Sequence, residues 1–378
     1  MELLQLEHFG KILRLEASMA GWQQLYWGEQ VVSQITASEA AQGKNTHHFE
    51  FLKQVDHQLG EMHKEPHEDE LVSTKIQCKL DVEMTWQPFD LRYAFYVDEH
   101  LIESASRNSK DIEQQTPVKV VTEPKKLNVM GLGLLALKLF KSAKLIKVVL
   151  AGASIAAYSW FFSIQFAAAL IVCLVFHEYG HIRAMKYFGM KTKGIYLIPF
   201  VGGLAVSDEK INTRWQDVVI SIMGPTFGLF MSLCCMVIYW ITGSEFFAGL
   251  ATFNALLNLF NMLPILPLDG GHILKSITFS MNSKAGLIAC LLGASLGVVI
   301  SYWLGLALLG FLLIVGSLEI IFEWRSRFNS HLLPLDRYGQ VFSTLWYLLT
   351  VASLVGVIFY FASSGDHLLS LPLLILGH

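Results

Sequence analysis

The run Leu174-Val-Phe-His177-Glu178-Tyr-Gly-His181 holds the residue types and spacing from which metal-assisted hydrolysis can be built. Residues four apart share one face of a helix, so the imidazoles of His177 and His181 can reach a single zinc ion. Glu178 points toward the same cavity, where it can take a proton from water whose pKa the metal lowers to about 7. Such a five-residue pattern arises by chance in a chain of this make-up at odds of roughly one in fifty, so context decides. Here the context is a long apolar run, in which an ionisable side chain costs about 2.5–3.5 kcal/mol on insertion scales. Idle residues are not expected to sit there at that cost.

Two histidines leave zinc short of a third protein ligand. The best candidate is Asp269, in Phe260-Asn261-Met-Leu-Pro264-Ile-Leu-Pro267-Leu-Asp269-Gly270-Gly271-His272. Two prolines and two glycines hold this backbone away from regular helix. Glu319 and Glu323 compete for the place, although both lie where solvation explains them cheaply. His272 is either a supporting neighbour of a ligand or incidental. Asn254, Asn258 and Asn261 precede Asp269 at offsets of four and three, on one helix face. One amide in a membrane helix is usually packing glue; three on a stripe leading to an aspartate predict the lining of a polar cavity.

The elements that must carry these residues follow from composition. Of 378 residues, 53% are hydrophobic and 16% charged, with a mean hydropathy of +0.46. Soluble domains carry about 25% charged residues, and the deficit is uneven. Residues 1–126 hold 13 basic and 21 acidic side chains, whereas the remaining 252 hold 15 and 10. The chain therefore reads as a polytopic α-helical membrane protein with an N-terminal soluble β-sandwich domain. Apolar segments long enough to span a bilayer lie at about 147–163, 165–187, 215–242, 246–263, 285–303, 305–323 and 343–363. Gly224-Pro225 predicts a kink or break in the third. With the N-terminus in the cytosol, Arg183, Lys186, Lys191, Lys193, Lys210, Arg214, Lys275, Lys284, Arg325, Arg327 and Arg337 fall inside. The opposite connections, near 163–165, 242–246 and 303–306, contain no Lys or Arg, as the positive-inside rule requires. The expected organisation is a sandwich-like domain over 1–106, a polar linker over 107–128 and an interfacial amphipathic helix over 129–146. A membrane zinc-protease domain over 147–363 and a tail over 364–378 complete it. Lys138, Lys141, Lys144 and Lys147 recur every three residues and suit anionic headgroups.

In the front third, Ile76–Trp86 alternates apolar and polar side chains, and Leu91, Tyr93, Phe95 and Val97 alternate again after a Pro88-Phe89-Asp90 turn. Period two puts each apolar set on one sheet face and predicts a hairpin. Shorter strands are expected at Ile12–Leu15, Trp22–Trp27, Val31–Ile35 and Phe49–Phe51. His47, His48, His57, His63 and His67 show no zinc-ligand spacing and read as a solvated polar region. The acidic balance of this domain argues against nucleic acid. A cytosolic partner of residues 1–106 is an open expectation.

The pair His177-Glu178-x-x-His181 and Asn261-x-x-Pro264-x-x-x-x-Asp269-Gly270 resembles the site-2 protease family of intramembrane zinc metalloproteases. The stretch Ile198-Pro-Phe-Val-Gly-Gly-Leu-Ala-Val206 is similar to the family's membrane-associated hairpin, and the likeness runs from about 145 to 323. The resemblance implies one zinc ion per chain, held by His177, His181 and Asp269, with Glu178 as general base. It implies that Asn261, with Asn258 beside it, helps hold substrate or its oxyanion. It implies that Gly202, Gly203 and Leu204 pair with an extended strand of substrate, a transmembrane segment of another protein within the lipid bilayer. The function so implied is hydrolysis of a peptide bond within or near that segment. Two rivals remain: a membrane metal transporter, which needs ligands along a path through the bilayer, and a catalytically idle protease-like scaffold.

Overall fold

The computed structural model describes residues 1–38, 43–54, 73–115, 143–160, 163–198, 202–207, 210–264, 266, 268–281 and 332–363, with isolated helical positions between 288 and 318. The expected spans 285–303 and 305–323, with Glu319 and Glu323, and nearly all of the amphipathic stretch 129–146 lie outside the described residues. So do His57, His63, His67 and the tail 364–378.

The chain divides into two compact units, one of Met1–Ile112 with Ser326–Leu333, the other of Glu113–Arg325 with Pro334–His378. Among the described residues, the first unit contains eight strands: β1 (Glu2–His8), β2 (Lys11–Ala17), β3 (Gln23–Trp27), β4 (Gln30–Ile35), β5 (Lys44–Gln54), β6 (Ser73–Trp86), β7 (Phe89–Val97) and β8 (His100–Asn108). They form two four-stranded antiparallel meanders, β1-β2-β3-β4 and β5-β6-β7-β8. Alternation places Leu13, Leu15, Leu25 and Trp27 of one sheet, and Leu80, Val82, Leu91 and Phe95 of the other, in a single buried core. Trp27 bridges the sheets, its ring 5.6 Å from that of Phe49. Leu333, far along the chain, is 1% exposed in the same core.

One strand was not foreseen here and two expectations change. β1 interrupts its own alternation with Leu3 and Leu4, both buried, because the register shifts between Glu2 and Leu4; a bulge of this kind hides period two. His47 is not solvated. It is fully buried in β5, with Nδ1 3.0 Å from Ser33 Oγ and Nε2 3.1 Å from Gln23 Oε1. The stretch read as the start of a linker is ordered: β8 runs to Asn108 and a short helix, α1, covers Ser109–Glu113.

The second unit contains α2 (Ala143–Ser159), α3 (Ile164–Tyr187), the hairpin β9 (Thr192–Ile198) and β10 (Gly202–Ser207), α4 (Arg214–Thr242), α5 (Glu245–Asn261), α6 (Asp269–Ser280) and α7 (Arg337–Ala362). Of these, α3, α4 and α7 are long and apolar enough to cross a membrane. α4 begins with a capping box, Thr213 and Gln216 bonding each other's backbone, and ends where Gly243 turns left-handed at φ +66°. Of the kink or break expected at Pro225, the break does not occur, and the helix is continuous there. Lys147 Nζ donates to the Lys193 carbonyl at 2.7 Å and lies over the Tyr196 ring of β9.

Glycines set the helix packing. A Cβ on Gly180 would lie 2.3 Å from the Met223 carbonyl oxygen, so α3 and α4 meet backbone to backbone. A Cβ on Gly228 would lie 1.9 Å from Asn258 Oδ1, so the Asn258 side chain of α5 fills the space against the backbone of α4. At Gly270, a Cβ would lie 2.1 Å from the Met262 carbonyl, which presses the start of α6 against the end of α5. Each contact is closer than any side chain permits, and together they draw four helices around one point.

Candidate metal centre

That point holds the sequence motifs. His177 and His181, one turn apart on α3, are 2% and 8% exposed, with Nε2 atoms 3.1 Å apart. Asp269, the first residue of α6, brings Oδ2 to 3.3 Å from His177 Nε2 and 3.5 Å from His181 Nε2. Ligands on a tetrahedron with bonds of about 2.0–2.2 Å are roughly 3.3–3.6 Å apart, so the spacing suits zinc. Among the described residues, these three form the one group of His, Cys, Asp or Glu able to share a metal.

The other ring nitrogens strengthen the case. His181 Nδ1 lies 2.7 Å from the Ile220 carbonyl, and His177 Nδ1 lies 2.7 Å from Asn258 Oδ1. Both partners are acceptors, so both Nδ1 atoms carry protons and both Nε2 atoms present lone pairs. In the neutral rings two lone pairs and a carboxylate oxygen then converge in a buried space, the donor set that a zinc ion takes. Gly224 supplies the room: a Cβ there would lie 2.2 Å from His181 Nε2 and 2.8 Å from His177 Nε2.

Glu178, 4% exposed, places Oε1 3.9 Å from His177 Nε2 and accepts a backbone hydrogen bond from Ala205 of β10. Gly202, Gly203 and Leu204 lie in β10, paired with Ile198, Leu197 and Tyr196 of β9. Asn261 is the half-buried last residue of α5. Asn258, expected beside Asn261 at the substrate, packs against Nδ1 of His177. It is 2% exposed, with its amide engaged by His177 and Asn254. Asn254 is 1% exposed, so both asparagines are buried between helices.

Sequence reasoning missed Asp217 on α4. It accepts from Ser276 Oγ at 2.6 Å, lies 3.6 Å from His272 Nδ1, and so fastens α6 one turn beyond Asp269. No spacing within one segment signals a bond between residues 59 apart.

With this geometry in view, comparison with known proteins is direct. The model of peptidase family M50 matches residues 165–245 and 239–301. The likeness to the site-2 protease family carried by the two motifs is thereby shown over this segment, which holds all four residues of the proposed chemistry. The chain is 34% identical over 198 residues to a putative zinc metalloprotease, sll0528, of Synechocystis, covering 50% of this chain and 46% of that protein. It is 32% identical over 182 residues to the zinc metalloprotease MJ0392 of Methanocaldococcus jannaschii, covering 46% and 52%. Stage IV sporulation protein FB of Bacillus subtilis is 26% identical over 182 residues, covering 45% and 62%. The chain thus spans about half the length of the curated relatives it matches.

Proposed function

We propose that this protein is an intramembrane zinc metalloprotease that hydrolyses a peptide bond within or near a transmembrane segment of a membrane-protein substrate. The observation that carries the reading is the convergence of His177 Nε2, His181 Nε2 and Asp269 Oδ2 beside Glu178. Zinc held by the three would supply Lewis acidity to the scissile carbonyl and the attacking water. Glu178 takes the proton of that water and passes it to the leaving amine. Asn261, at the end of α5, donates to the developing oxyanion. A helical substrate has its backbone bonds satisfied internally and must unwind first. Strand addition along Gly202–Leu204 of β10 holds it extended, and because Ala205 of the same strand bonds Glu178, the scissile bond is brought to the base.

The loop charges described above support a multi-pass arrangement with the N-terminal domain in the cytosol, on the side of the zinc site. The decisive experiment is Glu178→Gln in the full chain co-expressed with a membrane substrate. Zinc content is expected to remain at one per chain while cleavage is abolished; undiminished cleavage would overturn the mechanism.

A further inference from the structure

Behind His177, away from the converging Nε2 atoms, runs a line of hydrogen bonds that the proposed chemistry does not use. The Asn258 amide nitrogen donates to the Asn254 carbonyl at 2.8 Å and to Asn254 Oδ1 at 3.1 Å. The Asn254 amide nitrogen in turn donates to the Gly228 carbonyl and to Ser232 Oγ, both at 2.8 Å. Asn254, Asn258 and Ser232 are at most 2% exposed, so water does not compete for these groups. The oxygens of Asn254 that face Asn258 have no proton to give. The nitrogen end of Asn258 is therefore fixed toward Asn254 and its oxygen end toward His177. That oxygen only accepts, so the proton of His177 is held on Nδ1 and the lone pair of Nε2 faces Asp269 and His181.

We propose that Asn254 is a positioning residue for the zinc site, setting through Asn258 which nitrogen of His177 is left bare for the metal. The inference rests on His177 being a zinc ligand. Helix α4 takes part at both links: Gly228 leaves the space that Asn258 Oδ1 fills, and its carbonyl holds Asn254. Partners that orient a ligating histidine typically contribute about 10–100-fold in metal affinity; a partner one step removed belongs at the lower end of that range.

The test uses the full chain in detergent micelles with nitrogen-15-labelled histidine, His177 being assigned by the signal lost in His177→Asn. In the metal-free wild type, His177 Nδ1 is expected to give a protonated-type shift and Nε2 a bare-type shift. In Asn254→Ala, which removes Oδ1 and the anchoring amide but keeps the main-chain carbonyl, the two shifts are expected to move partway toward a tautomer mixture, with zinc affinity, read by chelator competition, up to about tenfold lower. Gly228→Ala, which displaces Asn258 Oδ1 from another helix, is expected to do the same. Should Asn254→Ala not fold, Ser232→Ala loosens one outer bond and is expected to shift the tautomer ratio less. Unchanged His177 shifts in the folded variants would overturn the proposal. So would a lower melting temperature with the tautomer retained, which would assign the asparagines to helix packing alone. A wild type that holds the tautomer yet binds no zinc would instead sink the metal reading and leave the relay standing.

Discussion

At Gly224 the site depends on an absent methyl group, because a Cβ would sit 2.2 Å from His181 Nε2. Gly224→Ala is expected to lower zinc affinity by at least about tenfold, the range seen when ligands are misoriented, while α4 stays helical; chelator competition and circular dichroism together check this. The spacing of His177, Glu178 and His181 was legible because four residues are one helical turn. The role of Gly224 was not, since it depends on which helix face meets which. His47 makes the same point in the soluble unit. Burial, with a smaller push from His48, lowers its pKa to about 4 from an ordinary 6.5. Its folded-state pKa is depressed, so the unfolded chain binds the proton more readily. The associated stability is present above about pH 6.5 and is lost as pH falls through 4, to a limit of about 3 kcal/mol. Hydrogen exchange of β6 and β7 amides, corrected for intrinsic rates, is expected to show protection falling over that window, and His47→Gln is expected to flatten the fall.

Among the elements, α6 places Asp269 and is held from α4. Asp217 bonds Ser276 and pairs with His272, so α6 cannot rotate away from α3. Asp217→Ala is expected to destabilise the helical unit by about 1.5–3 kcal/mol, the usual worth of hydrogen bonds to a charged group, and to weaken zinc binding in the same preparation. A thermal melt with and without zinc reads both effects. Period two made β6 and β7 legible, and apolar runs made α3, α4 and α7 legible. β1 was not, because a bulge breaks its alternation. The unbroken course of α4 through Pro225 was not, because neighbouring helices satisfy what a proline leaves open. The asparagine stripe was seen as a stripe, but whether it faced water or protein depended on the glycine contacts of α4.

Taken as a whole, the molecule returns to its first unit after the zinc segment, since Leu333 is buried in the sandwich core with Leu13, Leu80 and Phe95. Composition marked the front third as a separate body, but no local pattern shows that residues near 333 complete it. Leu333→Ala is expected to lower the stability of the sandwich by about 2–5 kcal/mol, as for other buried leucines, although it lies beyond every proposed zinc ligand. Exchange protection of strands β1–β8 measures this. The arrangement also sets a clock on biosynthesis. Strands β1–β8 emerge first, but the leucine that finishes their core is made only after the whole zinc segment, and at roughly 5–20 residues per second that delay is on the order of ten to forty seconds. A chain that ends before that point lacks both the segment of the candidate metal centre and the leucine that completes the sandwich core.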